Sequence, residues 1–330
     1  MKTMPRWLRI AGGSAAGLTS VLALLIALAY HQGSPAALLE RKGQITRAAL
    51  APAGEDATSF FQELTLQSST GLEVRALLRL PRGARPPYPA AVLVGGIKRG
   101  RKVVTAPGLD EIARHAVVVS PDYPIHPRRR SWTGVNFLST ALSLRPAALD
   151  AVAEVLLLLD YLESRPDVAR HRLFLVGGSM GAVVVTVAGG VDPRPAAVVA
   201  MYGGARLAPL VTHTLENPAQ DVPYSHWRAL LTGHALAWLL LPLDPERYAP
   251  AISPRPFLML NGSEDTLVPR ASVLALYEAA RAPKDLIWVK SEHVQPSEGE
   301  LIRKLSGIVS LWLVHQGLLP ASPSGGSRRR

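Results

Sequence analysis

The sequence contains no cysteine, which excludes disulfides and thiolate metal sites and leaves the redox compartment open. Charged residues are also sparse at 18%, and aromatic residues at 6%, against 48% hydrophobic residues. Such a chain is too apolar to be disordered, and 330 residues suffice for one large core with appendages. Acidic side chains are the scarcer sign, 25 against 36 Lys and Arg, which leaves a formal net charge of +11. An excess of that size suits nucleic acid or an anionic membrane. Here the cations fall in short dispersed clusters with few aromatics between them and no nucleic-acid motif, so no nucleic-acid partner is expected.

What the chain does have begins with its N-terminus. Lys2, Arg6 and Arg9 precede residues 10–30, a run of 21 residues without charge. At about 1.5 Å per residue such a run matches a hydrocarbon core of about 30 Å. Residues 21–29 are its most apolar part and end in Ala27-Leu28-Ala29, a cleavage pattern of small residues. Residues 1–30 therefore read as a cleaved signal peptide or as an uncleaved transmembrane anchor. Either places the rest of the chain outside the cytoplasm, because the basic end prefers to stay inside. Residues 31–58 are rich in Ala, Pro and Gly and read as a linker carrying one short helix near 35–42. Residues 320–330, ending in three arginines, have the composition of a disordered basic tail.

Between these ends, short apolar runs alternate with helical periodicity. Strands are expected at 60–67 and 72–80, joined by a hairpin turn at Ser68-Ser69-Thr70-Gly71. Further strands are expected at 90–94, 116–120, 172–176, 196–201, 255–261 and 285–290. Helices are expected at 108–115, 145–164, 272–281 and 300–315. Continuous apolar strands separated by helices imply a doubly wound, mostly parallel central sheet of the α/β class. The alternation breaks over 205–253, which reads as a helical insertion over the carboxyl edge of the sheet, where it would shape substrate access.

The chemistry centres on Gly177-Gly178-Ser179-Met180-Gly181, set between two apolar runs. A serine on a sharp strand-to-helix turn needs small residues two positions to either side, so that strand and helix can pass close together. The helix that starts there aims its free N–H groups at any developing oxyanion. A serine nucleophile also needs a base and a carboxylate to orient it. The strand at 255–261 runs into Asn261-Gly-Ser-Glu-Asp265, and the last strand is followed by Ser291-Glu-His293. This places a carboxylate and then an imidazole after Ser179, and serine, acid, histidine is the order expected on such a sheet. His226, His234 and His315 follow no strand and are weaker candidates for the base.

On the motif at 177–181, the run Asn-Gly-Ser-Glu-Asp-Thr-Leu-Val-Pro at 261–269 and His293, the chain resembles the α/β-hydrolases. The likeness is to the dienelactone-hydrolase and prolyl-oligopeptidase-like serine hydrolases, and it covers about Phe60 to Gly317, within a hydrolase domain expected over 59–319. It implies Asp265, rather than Glu264, as the acid of a Ser-His-Asp triad. It also implies an oxyanion hole built from the N–H of Met180 and one N–H of the loop after residue 94, at Gly96 or Ile97. Many relatives carry His-Gly in that loop, whereas this chain has Gly95-Gly96-Ile97. The loop continues into 98–102, where four of five residues are basic, and Arg128, Arg129 and Arg130 follow the next strand. These clusters would attract an anionic substrate or lipid head groups, or simply be solvated.

The function expected is hydrolysis of a small-molecule carboxylic ester through an acyl-enzyme, with no metal and no organic cofactor. Thioester or peptide cleavage by the same residues is the alternative, as is a non-catalytic binding module at the membrane.

Overall fold

The computed structural model describes residues 20, 24, 26–28, 30–96, 100–106, 108–122, 135–217, 224–295 and 298–321, with side chains omitted over 135–142. Nine strands form one sheet in the order β1-β2-β3-β5-β4-β6-β7-β8-β9. The strands are β1 (Ile45–Glu55), β2 (Ser59–Ser68), β3 (Glu73–Pro81), β4 (Tyr88–Val94), β5 (Val117–Pro121), β6 (Val168–Gly178), β7 (Ala197–Met201), β8 (Phe257–Gly262) and β9 (Lys284–Val289). The first three strands and the junction of β3 with β5 are antiparallel. From β5 across to β9 every pairing is parallel, which puts all these carboxyl ends on one rim.

The central strands are apolar on both faces because both faces are covered. In β4, Ala90, Val92 and Val94 join one core while Ala91 and Leu93 join the other, and in β6 Leu173 and Leu175 oppose Phe174 and Val176. This is the alternation a pleated strand imposes when helices lie on either side. One core is closed by α3 (Val135–Ser164) and α4 (Met180–Val191). The other is closed by α2 (Asp110–Ala113) and α8 (Gly299–His315). Helix α7 (Arg270–Ala279) follows β8 and contributes Val273 and Leu276 to the first core.

Two stretches differ from the sequence expectation. Residues 31–58 are not a linker. Helix α1 (Pro35–Lys42) is capped by Ser34, whose Oγ accepts from Ala37 N at 3.2 Å, and it buries Leu38 completely. Arg41 bonds Asp150 on α3 at 2.7 Å, and Lys42 pairs with Asp160 on the same helix. Strand β1 follows and edges the sheet, with all but its first residue exposed. With neither face covered, β1 needs no apolar alternation, so the sequence carries none. Helix α3 also begins earlier than 145, running through Pro146; a proline is usually read as a helix start.

The insertion after β7 is helical, as α5 (Leu207–Glu216) and α6 (His226–Leu240) followed by short 3-10 turns up to Ala251. Among the described residues, no helix is long and apolar enough to cross a membrane. Most of the segment 10–30, and the tail from 322 onward, lie outside the described residues.

Candidate active site

The turn between β6 and α4 is fixed by how closely its backbones pass. A Cβ added to Gly181 would sit 1.9 Å from the Val94 carbonyl oxygen, and one added to Gly177 would sit 2.2 Å from that of Gly181. Neither position tolerates a side chain. Gly178, between them, has nothing closer than 3.9 Å. Ser179 at the apex adopts φ 56° and ψ −121°, a left-handed value that costs a non-glycine residue on the order of 1–3 kcal/mol. Its own N–H is held by the Met201 carbonyl at 2.8 Å.

The strained turn lifts Ser179 to the rim where β8 and β9 also end. His293 Nδ1 donates to Asp265 Oδ2 at 2.8 Å, which leaves Nε2 to accept from the Ser179 hydroxyl at 3.0 Å. The second carboxylate oxygen of Asp265 accepts from Leu267 N and Val268 N at 2.8 and 3.0 Å. Both oxygens are thus committed, and the side chains of Asp265 and His293 are only 3% and 10% exposed. A carboxylate pinned this way fixes the tautomer and plane of the imidazole, and such an imidazole can take a hydroxyl proton as the oxygen attacks. The neighbouring Glu264 faces away, 4.0 Å from Lys290 and half exposed.

Two of the expected oxyanion donors border the serine. Met180 opens α4, where the first N–H groups of a helix have no partner within it. Gly96 lies alongside, since a Cβ built on it would be 3.7 Å from Ser179 Cβ. Ile97 lies outside the described residues, as do Lys98, Arg99 and Arg128 to Arg130. Arg101 is ion-paired to Glu63 and Asp122 at 3.3 and 3.2 Å, and Lys102 is exposed.

Three groups at the rim escape a reading by motif. Tyr202, fully buried at the end of β7, sets its ring edge-on to His293 at 5.5 Å and shares a 2.6 Å hydrogen bond with Ser291 Oγ. Burial raises its phenol above the ordinary value, so it stays protonated through neutral pH. Its φ of 52° gave no sequence signal beyond the Gly203-Gly204 that follows. The insertion is tied to the acid-bearing loop through Thr266, whose carbonyl accepts from Asn217 Nδ2 at 2.8 Å and His213 Nε2 at 3.0 Å. The third is Glu154, 5% exposed on α3, which lines a small cleft with Val94, Pro121, Asp122 and Ala151. Burial, followed by the charges of Asp150 and Asp122, pushes its carboxyl well above the usual range.

The three histidines weighed as weaker candidates for the base lie elsewhere: His226 pairs with Glu216, His234 bonds the Leu230 carbonyl, and His315 lies in the last turn of α8. Among the described residues, no group of three or more His, Asp or Glu side chains is placed to hold a metal ion.

No protein-family model and no curated protein sequence matches the chain. Solved structures do. The chain is similar to the acetyl xylan esterase of Paenibacillus sp. R4, with a TM-score of 0.61 and 17% identity over 83% of this chain and 92% of that one. Acetyl xylan esterase 1 of Thermoanaerobacterium sp. JW/SL YS485 superposes with the same score at 15% identity, covering 85% and 92%. An esterase of Pyrococcus furiosus follows at 0.56 and 16%, covering 82% and 98%. At these identities the likeness is one of fold.

Proposed function

We propose that this chain, whose fold is that of the α/β-hydrolase esterases, hydrolyses small carboxylic esters with Ser179 as nucleophile. The observation that carries the reading is the continuous hydrogen-bonded line from Ser179 Oγ through His293 to Asp265. Ser179 Oγ attacks the ester carbonyl while its proton passes to His293 Nε2. The tetrahedral oxyanion is met by the N–H groups of Met180 and of the Gly96–Ile97 loop. Its collapse expels the alcohol, which takes the proton from His293, and leaves an acyl-serine. Water then attacks the acyl carbonyl as its proton passes to His293, and collapse releases the acid while His293 returns that proton to Ser179 Oγ. Asp265 holds the imidazole in place and stabilises its charged form without taking the proton itself.

An ester is favoured over a thioester or peptide because the structures this chain resembles are esterases, and the fold alone does not choose among acyl donors. Residues 10–30 are proposed as an export signal or anchor that places the enzyme outside the cytoplasm, attached to the membrane if the segment is retained. Steady-state hydrolysis of p-nitrophenyl esters from acetate to octanoate tests the activity. Wild-type turnover should exceed that of Ser179→Ala by about 10⁴-fold or more. Equal rates for the two proteins would discard the reading in favour of a binding module.

A further inference from the structure

Helix α6 has two unlike faces. Ala229, Gly233, Leu236 and Ala237 are buried, while Trp227 and Leu231 are 71% and 72% exposed and Trp238 is 37% exposed. At 100° per residue, positions 227, 231, 234 and 238 fall within about 60° of one another, a stripe about 16 Å long. Two indoles and a leucine aligned toward water are unusual for a surface that meets nothing.

The charge around the stripe narrows what could cover it. No acidic residue lies between His226 and Leu240, and Glu216, near the start of the helix, is taken up by His226 at 2.6 Å. Arg145 stacks over Trp238 at 5.5 Å, and Arg228 lies over Tyr224 at 5.0 Å. Beyond the end of the helix, Arg247 lies over Tyr30 at 4.2 Å. A second copy of the chain meeting this face about a two-fold axis would set these cations against each other. Phosphate head groups over an apolar interior are complementary to both the stripe and its rim.

The chain itself brings such a surface to the same place. The hydroxyl of Tyr248 sits between the carbonyls of Gly33 and Pro242, and the contact there is too tight to admit a Cβ on Gly33. The uncharged run 10–30 therefore ends against the C-terminal end of α6, within a few residues of Trp238. Leu24 and Leu28, preceding this anchor point, are 59% and 50% exposed. We propose that the exposed face of α6 lies on the lipid bilayer that the 10–30 segment enters, with Trp227, Leu231 and Trp238 in the interfacial layer and Arg145, Arg228 and Arg247 at the phosphates. The proposal rests on the membrane reading of that segment. Because residues 30–33 leave little slack, the face is held near the bilayer at high effective concentration. The same insertion borders the site through α5 and Thr266.

The absence of cysteine gives a direct test. In the full chain, Leu231→Cys and, separately, Leu311→Cys on α8, 73% exposed, are labelled with an environment-sensitive fluorophore. Each is then mixed with vesicles of phosphatidylcholine and phosphatidylglycerol, and thermal unfolding confirms that both variants are folded. The expected result is that both float with the vesicles and only the label at 231 shifts to the blue and is quenched by spin-labelled lipid. In an unlabelled Trp7→Phe chain, which removes the indole beside the 10–30 segment, brominated lipid should quench tryptophan emission, and adding Trp227→Phe with Trp238→Phe should lose that quenching. Flotation with no difference between 231 and 311 would overturn the docked face while leaving the tether. Failure to float would overturn both. A blue-shifted label at 231 before lipid is added would mean that another copy covers the face, and would also overturn the proposal.

Discussion

The elbow at Ser179 and the insertion that borders it lie close together yet are built by opposite rules. At the elbow, contact distances dictate identity: a methyl group at Gly181 would collide with the Val94 carbonyl at 1.9 Å, and one at Gly177 with that of Gly181. On α6 the outward positions are free of such limits, and Trp227 and Leu231 touch little of their own chain. The first region is determined by the fold's interior and the second by whatever lies outside it. Chemistry can therefore be read from the elbow, while partner and substrate choice are proposed to lie in the insertion.

Substitutions can break or sharpen this contrast. The largest effect is expected from Asp265→Asn, which keeps the shape of the rim but upsets the tautomer of His293. Turnover of a p-nitrophenyl ester should fall by about 10⁴-fold, with unfolding by urea little changed. A loss below tenfold would mean that the carboxylate is only a turn residue. Next comes Gly181→Ala, which must push α4 away from β4; chemical denaturation should show a loss of about 3 kcal/mol or more. Gly178→Ala, with open space around it, should cost less than about 1 kcal/mol by the same assay. Equal costs at the two positions would contradict the account of why the motif has its spacing. Smallest is Trp227→Ser, expected to leave both the hydrolysis of a soluble ester and the unfolding free energy within about 0.5 kcal/mol of wild type. A large loss of stability there would mean that the indole is part of the core.

The same contrast explains what could be read from the sequence. Strands β4, β6, β7 and β8 were legible because burial on both faces leaves an unbroken apolar run, and the elbow because its glycines sit at fixed offsets from Ser179. Asp265 stood beyond such a strand and His293 beyond the more exposed β9, in the order expected on this fold. Strand β1 was not legible: its side chains face water on both sides, so nothing in their order distinguishes it from a linker. Helix α1 was recognisable as a helix, but not as part of the core, because Leu38 and the bonds of Arg41 and Lys42 reach residues more than 100 positions away. Tyr202 and Ser291 escaped for the same reason, since they meet across the end of β8 only once β7 and β9 have been set on either side of it.

The central claim is that one hydroxyl among many in this chain is made reactive by its neighbours. Treating the folded protein with a fluorophosphonate and mapping the adduct by peptide mass spectrometry tests it directly. The account predicts a single modified residue, Ser179, and loss of labelling in His293→Ala. An unmodified protein under conditions where a control esterase reacts, or an adduct on any other residue, would contradict it.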